Sequence, residues 1–194
     1  RLILQSVMKL KHKKETVKSF LFMLTKDIKC GIIFIRNLKE KYMIELLSEK
    51  EANKKLIEEY SFLLPRNRFT DKVVEDYDYS YTELDDECPI GWTELKLNFY
   101  KELKPLLIKA NYLDKFRIMQ SKEKYGYWHL YNNGIPKSIV NEYYDLFNKY
   151  EKLSENTCIF CGKKARMCDF GWISPICRSC WDKGKISSTR SYDE

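Results

Sequence analysis

The sequence predicts an α+β protein in which helices pack on a small antiparallel β-hairpin and a short cysteine-rich module follows. Three observations support this prediction. Apolar residues recur at three- and four-residue steps in 92–110 and in 137–153, which is the spacing of one helix face. Residue types alternate along 116–131 around a turn, as they do in paired strands. Four cysteines stand in two close pairs over 158–180.

Length and composition limit the number and kind of domains. The chain has 194 residues, of which 44% are hydrophobic and 32% charged, and its formal net charge is +7. This composition is typical of a globular protein, and the length suits one domain plus a small module. We predict a basic N-terminal extension over 1–37, an α+β domain over 38–153, a metal-binding module over 154–183 and a flexible tail over 184–194. The extension is non-native, in part or in whole, if translation starts at Met8 or at Met43, the two possible start residues.

The cysteine usage predicts a reducing compartment. No apolar run reaches the roughly 18 residues that a membrane span needs, so we expect no membrane partner. The chain has seven cysteines, and an odd number with tight pairs and a cysteine-poor remainder does not fit a secreted disulfide framework. We therefore predict a cytoplasmic protein in which Cys30, Cys88 and Cys168 form no disulfide.

The first half of the chain predicts helix followed by an irregular acidic stretch. Apolar residues at helical spacing indicate a helix over 38–60, and Ser48 with Glu51 forms a potential capping box that would split it. Residues 70–88 contain eight Asp or Glu and one Lys. Within them the tyrosines alternate with other residues over 77–81, which predicts an extended strand or an ordered crossing segment.

The second half predicts two helices around a hairpin. The stripe over 92–110 indicates a helix in which Pro105 causes a kink or a break. Alternation over 116–131 indicates a hairpin whose chain turns across 122–126. The third helix is predicted over 137–153, with Pro136 suitably placed before its first turn.

The cysteine module carries the clearest chemical signal. Cys158 and Cys161, then Cys177 and Cys180, form two CxxC pairs separated by 15 residues. Two thiolates three residues apart on a tight turn can bind one ion, and a second pair completes a tetrahedron. Gly162 follows the first pair, where a positive φ is commonly needed. We predict one structural Zn²⁺ in a zinc-ribbon-like module, with an iron–sulfur cluster or disulfides as alternatives.

Several short strings occur in a fixed order along the chain. They are 63–68 (LLPRNR), 75–86 (EDYDYSYTELDD), 91–92 (GW), 122–126 (KEKYG), 158–162 (CIFCG) and 171–175 (GWISP). In this order the strings resemble a family of small uncharacterised proteins of bacteriophages, prophages and low-GC gut bacteria, and the resemblance covers about 40–182. The strand after the KEKYG turn departs from the family pattern, because here it is YWHLY and lacks an Arg. The resemblance implies a phage protein in the cytoplasm of a bacterial host cell, and it implies no mechanism.

Basic residues near aromatic ones suggest a nucleic-acid contact. Seven Lys or Arg and two Asp or Glu lie between 158 and 190. If the module packs back on the hairpin, a basic surface flanked by Tyr125 and Trp172 would form, suited to single strands. Its members would be Lys122, Lys124, Lys163, Lys164 and Arg166. The alternative is that these residues only keep an aromatic-rich protein in solution.

The leading prediction is a non-enzymatic, zinc-stabilised binding protein that contacts nucleic acid. Four thiolates close the metal's coordination shell, which disfavours a catalytic site. No catalytic residue is predicted, because neither histidine has a cysteine or acidic partner at catalytic spacing in the sequence. The alternative is a protein–protein effector, such as an inhibitor of a host defence or replication complex. For that function the acidic stretch would face a basic partner.

Overall fold

The computed structural model describes residues 48–67, 69–85, 88–184 and 192. The predicted N-terminal extension, the start of the first predicted helix and Cys30 lie outside these residues. The described chain is α+β, with helices and two small antiparallel hairpins, as the sequence predicts. None of its described helices has the length and apolar character that crossing a membrane requires.

The described chain contains four α-helices and four strands, with short 3₁₀ turns between them. Helix α1 covers the helical residues 48–59, α2 is Thr93–Lys109, α3 is Val140–Ser154 and α4 is Arg178–Asp182. Strands β1, Ile118–Lys124, and β2, Tyr127–Asn132, form the first hairpin. Strands β3, Arg166–Asp169, and β4, Ile173–Ile176, form the second.

The chain divides into two compact units. In the first, residues 48–56 of α1 lie with the segment Tyr77–Ser80. Lys50 donates a hydrogen bond to Asp78, and this bond lowers the pKa of the Asp78 carboxyl to about 2. The segment is not the predicted extended strand, because Asp76 and Tyr79 have φ of 54° and 63°. Part of the acidic stretch is thus paired with a lysine of the same chain.

The second unit is built around an aromatic core between α2, α3 and the first hairpin. Phe99 of α2 contacts Trp128 of β2 edge-on, with ring centroids 5.1 Å apart. It also contacts Tyr143 and Tyr150 of α3, at 6.3 and 5.7 Å. Such edge-to-face pairs add to the stabilisation from burial. Trp128 is fully buried, which places the hairpin's inner face in this core.

Helix α2 continues through Pro105 without the predicted break. Proline removes one backbone donor and crowds the carbonyl four residues earlier, which belongs to Lys101. Both residues are exposed, so water can solvate that carbonyl. The buried stripe of α2 lies on the opposite side, at Leu103 and Leu107 among others, and it is therefore undisturbed.

The first hairpin differs from the predicted alternation by one residue. Its turn is at Tyr125 and Gly126, both with positive φ, so that Lys122 and Lys124 belong to β1. The register shifts between Ile118 and Gln120, as in a β-bulge. A bulge moves the following side chains to the other face. Ser121 is consequently buried, and its hydroxyl accepts a hydrogen bond from the Trp128 indole at 2.9 Å.

Candidate metal centre and its surroundings

The first cysteine pair lies on a tight turn that follows α3. The Cys158 amide donates to the Lys163 carbonyl at 2.8 Å, and the Gly162 amide donates to the Cys158 carbonyl at 3.0 Å. Gly162 has a φ of 72°, which confirms the predicted need for glycine there. The Ile159 amide also donates to the Pro175 carbonyl at 3.0 Å. This last bond joins the first pair to β4.

The second pair lies at the start of α4, directly after β4. Cys177 is extended, with φ −84° and ψ 152°, and the helix starts at the next residue. The Cys180 amide donates to the Cys177 carbonyl at 3.0 Å, which turns the two side chains to the same side. The β3–β4 hairpin lies within the 15 residues between the pairs and returns the chain to the first turn.

The four sulfur atoms converge on one point. All four Sγ atoms, of Cys158, Cys161, Cys177 and Cys180, lie within 4.8 Å of one another. The Sγ atoms of Cys161 and Cys177 are 3.5 Å apart, too far for a disulfide bond of about 2.05 Å. A tetrahedral ion with bonds of about 2.3 Å separates its ligand sulfurs by roughly 3.8 Å. The cluster can accommodate one metal ion of that size.

The pKa values of three of the four thiols are shifted, because the group is buried and its sulfurs lie close together. Burial raises the pKa of Cys180, and the neighbouring thiols raise it further. Burial likewise raises the pKa of Cys161. Burial opposes ionisation of Cys177 too, but the Cys180 backbone amide and the other thiols outweigh it and lower the Cys177 pKa. A bound cation would favour the thiolate form of all four sulfurs.

The centre is enclosed by the module's own side chains. Cys158, Cys177 and Cys180 are buried, and Cys161 is half-buried. Cys168, in β3, is also buried, but it is not among the four converging cysteines. Its thiol lies 4.0 Å from the Ile176 carbonyl, and burial raises its pKa. Leaving Cys168 out of the predicted ligand set agrees with this geometry.

The module packs directly on the α+β domain through Gly91 and Trp92. The Gly91 amide donates to the Ile159 carbonyl at 2.9 Å, and the Trp92 indole donates to the Thr157 carbonyl at 2.8 Å. A Cβ on Gly91 would lie 2.0 Å from the Cys158 carbonyl oxygen. Sequence reasoning gave no physical role to Gly91, because this close approach joins positions more than 60 residues apart.

The module also contacts the tip of the first hairpin. A Cβ on Gly126 would lie 2.5 Å from the Met167 side chain and 3.4 Å from the Ile173 carbonyl oxygen. The hairpin turn therefore lies against the β3–β4 hairpin, which is the packing on which the predicted basic surface depends. Successive side chains of a strand point to opposite faces, so Arg166 lies on the face of β3 that is turned away from Gly126.

The predicted basic residues occupy three places. Lys122 and Lys124 are on β1, where their ammonium groups lie 5.3 and 5.6 Å from the ring centroids of Tyr131 and Tyr125. Lys163 and Lys164 are exposed on the turn after the first cysteine pair. Arg166 is exposed on β3. Tyr125 and Trp172, the predicted flanking rings, are 69% and 60% exposed. Whether these residues act as one surface stays a prediction.

The histidine and the remaining thiols of the described residues do not form a nucleophilic triad. His129 Nδ1 lies 3.5 Å from the Glu151 carboxylate, an acidic neighbour that the sequence did not reveal. The Cys88 thiol contacts the Ser121 hydroxyl at 3.2 Å, and the Cys168 thiol faces backbone carbonyls. The thiols thus have partners other than the imidazole.

Comparisons with protein-family models, with curated proteins and with solved structures find no match to this chain. The resemblance to phage proteins stays a prediction.

Proposed function

We propose that the four cysteines bind one structural zinc ion and that the protein so stabilised binds nucleic acid without catalysing a reaction. The observation that carries the metal proposal is the convergence of four sulfur atoms within 4.8 Å of one another, close enough for one ion to contact all four. Thiolates are soft ligands, and a four-sulfur tetrahedral site favours zinc. In a [2Fe–2S] or [4Fe–4S] cluster the four thiolates are divided among two or four iron atoms, so some of the ligand sulfurs stand farther apart than the 4.8 Å found here.

The metal proposal is tested by elemental analysis of the purified chain. We expect one zinc per chain in the wild-type protein and none after the double substitution Cys177→Ser and Cys180→Ser. Cys168→Ser is the matched control, because it removes a buried thiol of the same module that lies outside the four-sulfur group. Iron in place of zinc, or zinc retained by the double variant, contradicts the proposal.

The binding proposal is supported by the charge and the exposure of the module. Lys163, Lys164 and Arg166 are exposed beside a centre that leaves no ligand position open for substrate. Basic groups near exposed aromatic rings suit single strands, in which phosphates meet the cations and bases stack on the rings. Each phosphate that is neutralised releases counterions, so the affinity falls as salt rises.

A fluorescence anisotropy titration with a labelled oligothymidylate tests the binding proposal. We expect binding at about 50 mM salt that weakens steeply as salt increases. Changing Lys163, Lys164 and Arg166 to Glu should abolish most of it. The matched control reverses three exposed lysines of the helical domain, with the same change in net charge. These are Lys101, Lys109 and Lys137.

The salt dependence distinguishes specific contact from general attraction. If all three basic residues of the module contact phosphates, neutralising them should reduce the slope of log affinity against log salt by roughly 2 for a single strand. Equal weakening by the module variant and the control variant would mean that only net charge matters. No binding by the wild-type protein at low salt would reject the proposal in favour of a protein partner.

A further inference from the structure

Tyr192 lies against a pair of arginines on the module. The Arg166 guanidinium is 4.3 Å from the centroid of its ring, and the Arg178 guanidinium is 5.0 Å from it. The Trp181 ring meets it edge-on, with centroids 5.5 Å apart and planes 71° apart. The Tyr192 hydroxyl donates to the Ile176 carbonyl at 3.2 Å. An aromatic ring from the end of the chain thus occupies a cationic site on the module.

The two arginines of this site lie beside the second cysteine pair. Arg178 directly follows Cys177, and Arg166 pairs with Ile176 across the β3–β4 hairpin. The Arg178 guanidinium is further held by Asp182, 3.2 Å away on the same helix. Both arginines are exposed, so a planar ring from another molecule could reach them if Tyr192 moved away. The site is therefore built before any ligand arrives.

We propose that Arg166, Arg178 and Trp181 form a base-binding site for single-stranded nucleic acid, and that Tyr192 occupies this site in competition with the strand. This inference rests on the proposed function and names the part of the module that holds a base. Guanidinium groups stack on nucleobases and pair with phosphates, so the same two side chains suit both parts of a nucleotide. The tyrosine ring reproduces only the aromatic part.

The competition is expected to be reversible because the contacts of Tyr192 are individually weak. An exposed cation–π contact contributes little compared with a buried one. A strand that also brings phosphates makes charge-assisted contacts that the tyrosine ring cannot make. The apparent affinity for the strand is reduced by the fraction of molecules in which the site is vacant.

The experiment measures oligothymidylate affinity by anisotropy in full-length variants at low salt. Tyr192→Ala should tighten binding by about 2- to 10-fold, since one or two exposed cation–π contacts no longer compete. Tyr192→Phe retains the ring but loses the hydroxyl's bond to the Ile176 carbonyl, so it should tighten binding less than Tyr192→Ala does. Tyr144→Ala is the matched control, because it removes a half-exposed tyrosine from α3. Arg178→Gln should weaken binding. Adding Tyr192→Ala to the Arg178→Gln variant should not increase its affinity for the strand.

Each outcome decides between the competing explanations. If the wild-type protein binds the strand and the Tyr192→Ala variant binds it no more tightly, the inference is overturned and the proposed function is left intact. The inference is also overturned if the Arg178→Gln variant retains its metal and binds the strand as tightly as the wild type. Loss of metal or unfolding in Tyr192→Ala would assign the ring a structural role and overturn the competition. If no form binds the strand, the proposed function fails, and the inference with it.

Discussion

Substituting Gly91 by alanine should separate the metal module from the helical domain. Gly91 precedes α2, and its backbone lies against the first cysteine turn. Its new Cβ would stand 2.0 Å from the Cys158 oxygen and 2.7 Å from the Ile159 carbonyl carbon, whereas real Cβ atoms essentially never approach within 3.0 Å. The obstructing atoms are backbone and cannot rotate away. The turn itself must therefore retreat from the domain.

The expected loss combines a steric term with broken hydrogen bonds. Forcing extra volume into a packed contact typically costs about 1–3 kcal/mol. Retreat of the turn also stretches the bonds from the Gly91 amide and the Trp92 indole, at 2.9 and 2.8 Å in the intact protein. Each is worth about 0.5–1.5 kcal/mol. The free energy of unfolding should fall by about 2–6 kcal/mol, a large part of the stability of a typical domain.

Urea unfolding followed by circular dichroism measures this loss. The control is Gly184→Ala, two residues after α4 ends, where φ is 64° and no atom lies within 4 Å of the added Cβ. It reports the backbone cost of alanine in a left-handed conformation, about 1 kcal/mol. A Gly91→Ala protein as stable as the wild type, or no less stable than the Gly184 variant, would refute the steric reasoning.

Two further predictions concern polar contacts of the helical domain. Ser121→Ala removes the hydrogen-bond acceptor of the fully buried Trp128 indole. Thermal unfolding should then show that the free energy of unfolding falls by about 1–3 kcal/mol. The control is Ser121→Thr, which keeps a hydroxyl at this position. Hydrogen bonds from Lys149 lower the pKa of the Glu102 carboxyl, so this pair stabilises the fold above the unfolded pKa of Glu, about 4.3. Because the pair is exposed, Glu102→Gln should lower the free energy of unfolding by under about 1 kcal/mol at pH 7. The difference in stability between the variant and the wild type should vanish as pH falls below about 4. A difference that stays constant down to pH 2 would contradict this assignment.

The sequence predicted best those features that local spacing determines. The four converging cysteines are three residues apart within each pair, and a tight turn can bring such neighbours together without help from the rest of the chain. Gly162 is also a local requirement. The apolar residues of the helices and of the hairpin recur with short periods that do not depend on distant parts of the chain. The α+β class could therefore be predicted.

Contacts between distant parts of the chain could not be predicted from the sequence. The bulge near Met119 inserts one residue and reverses which face is buried, and alternation alone could not reveal it. Gly91 resembles any glycine until its distant neighbour in the first cysteine turn is known. His129 has an acidic neighbour only because α3 brings Glu151 beside β2. Each of these features depends on two segments that meet only in the folded protein.

The fluorescence of Trp92 can report on the state of the cysteine module. Its ring is fully buried, while its indole N–H is bonded to the carbonyl of Thr157, the residue before Cys158. If the module holds the proposed zinc ion, withdrawing it would loosen this carbonyl and admit water to the ring. Indole emission shifts to longer wavelength in a wetter environment. Titration with a chelator, followed by tryptophan fluorescence, would thus follow the state of the module from inside the neighbouring domain, with Trp92→Phe as the blank.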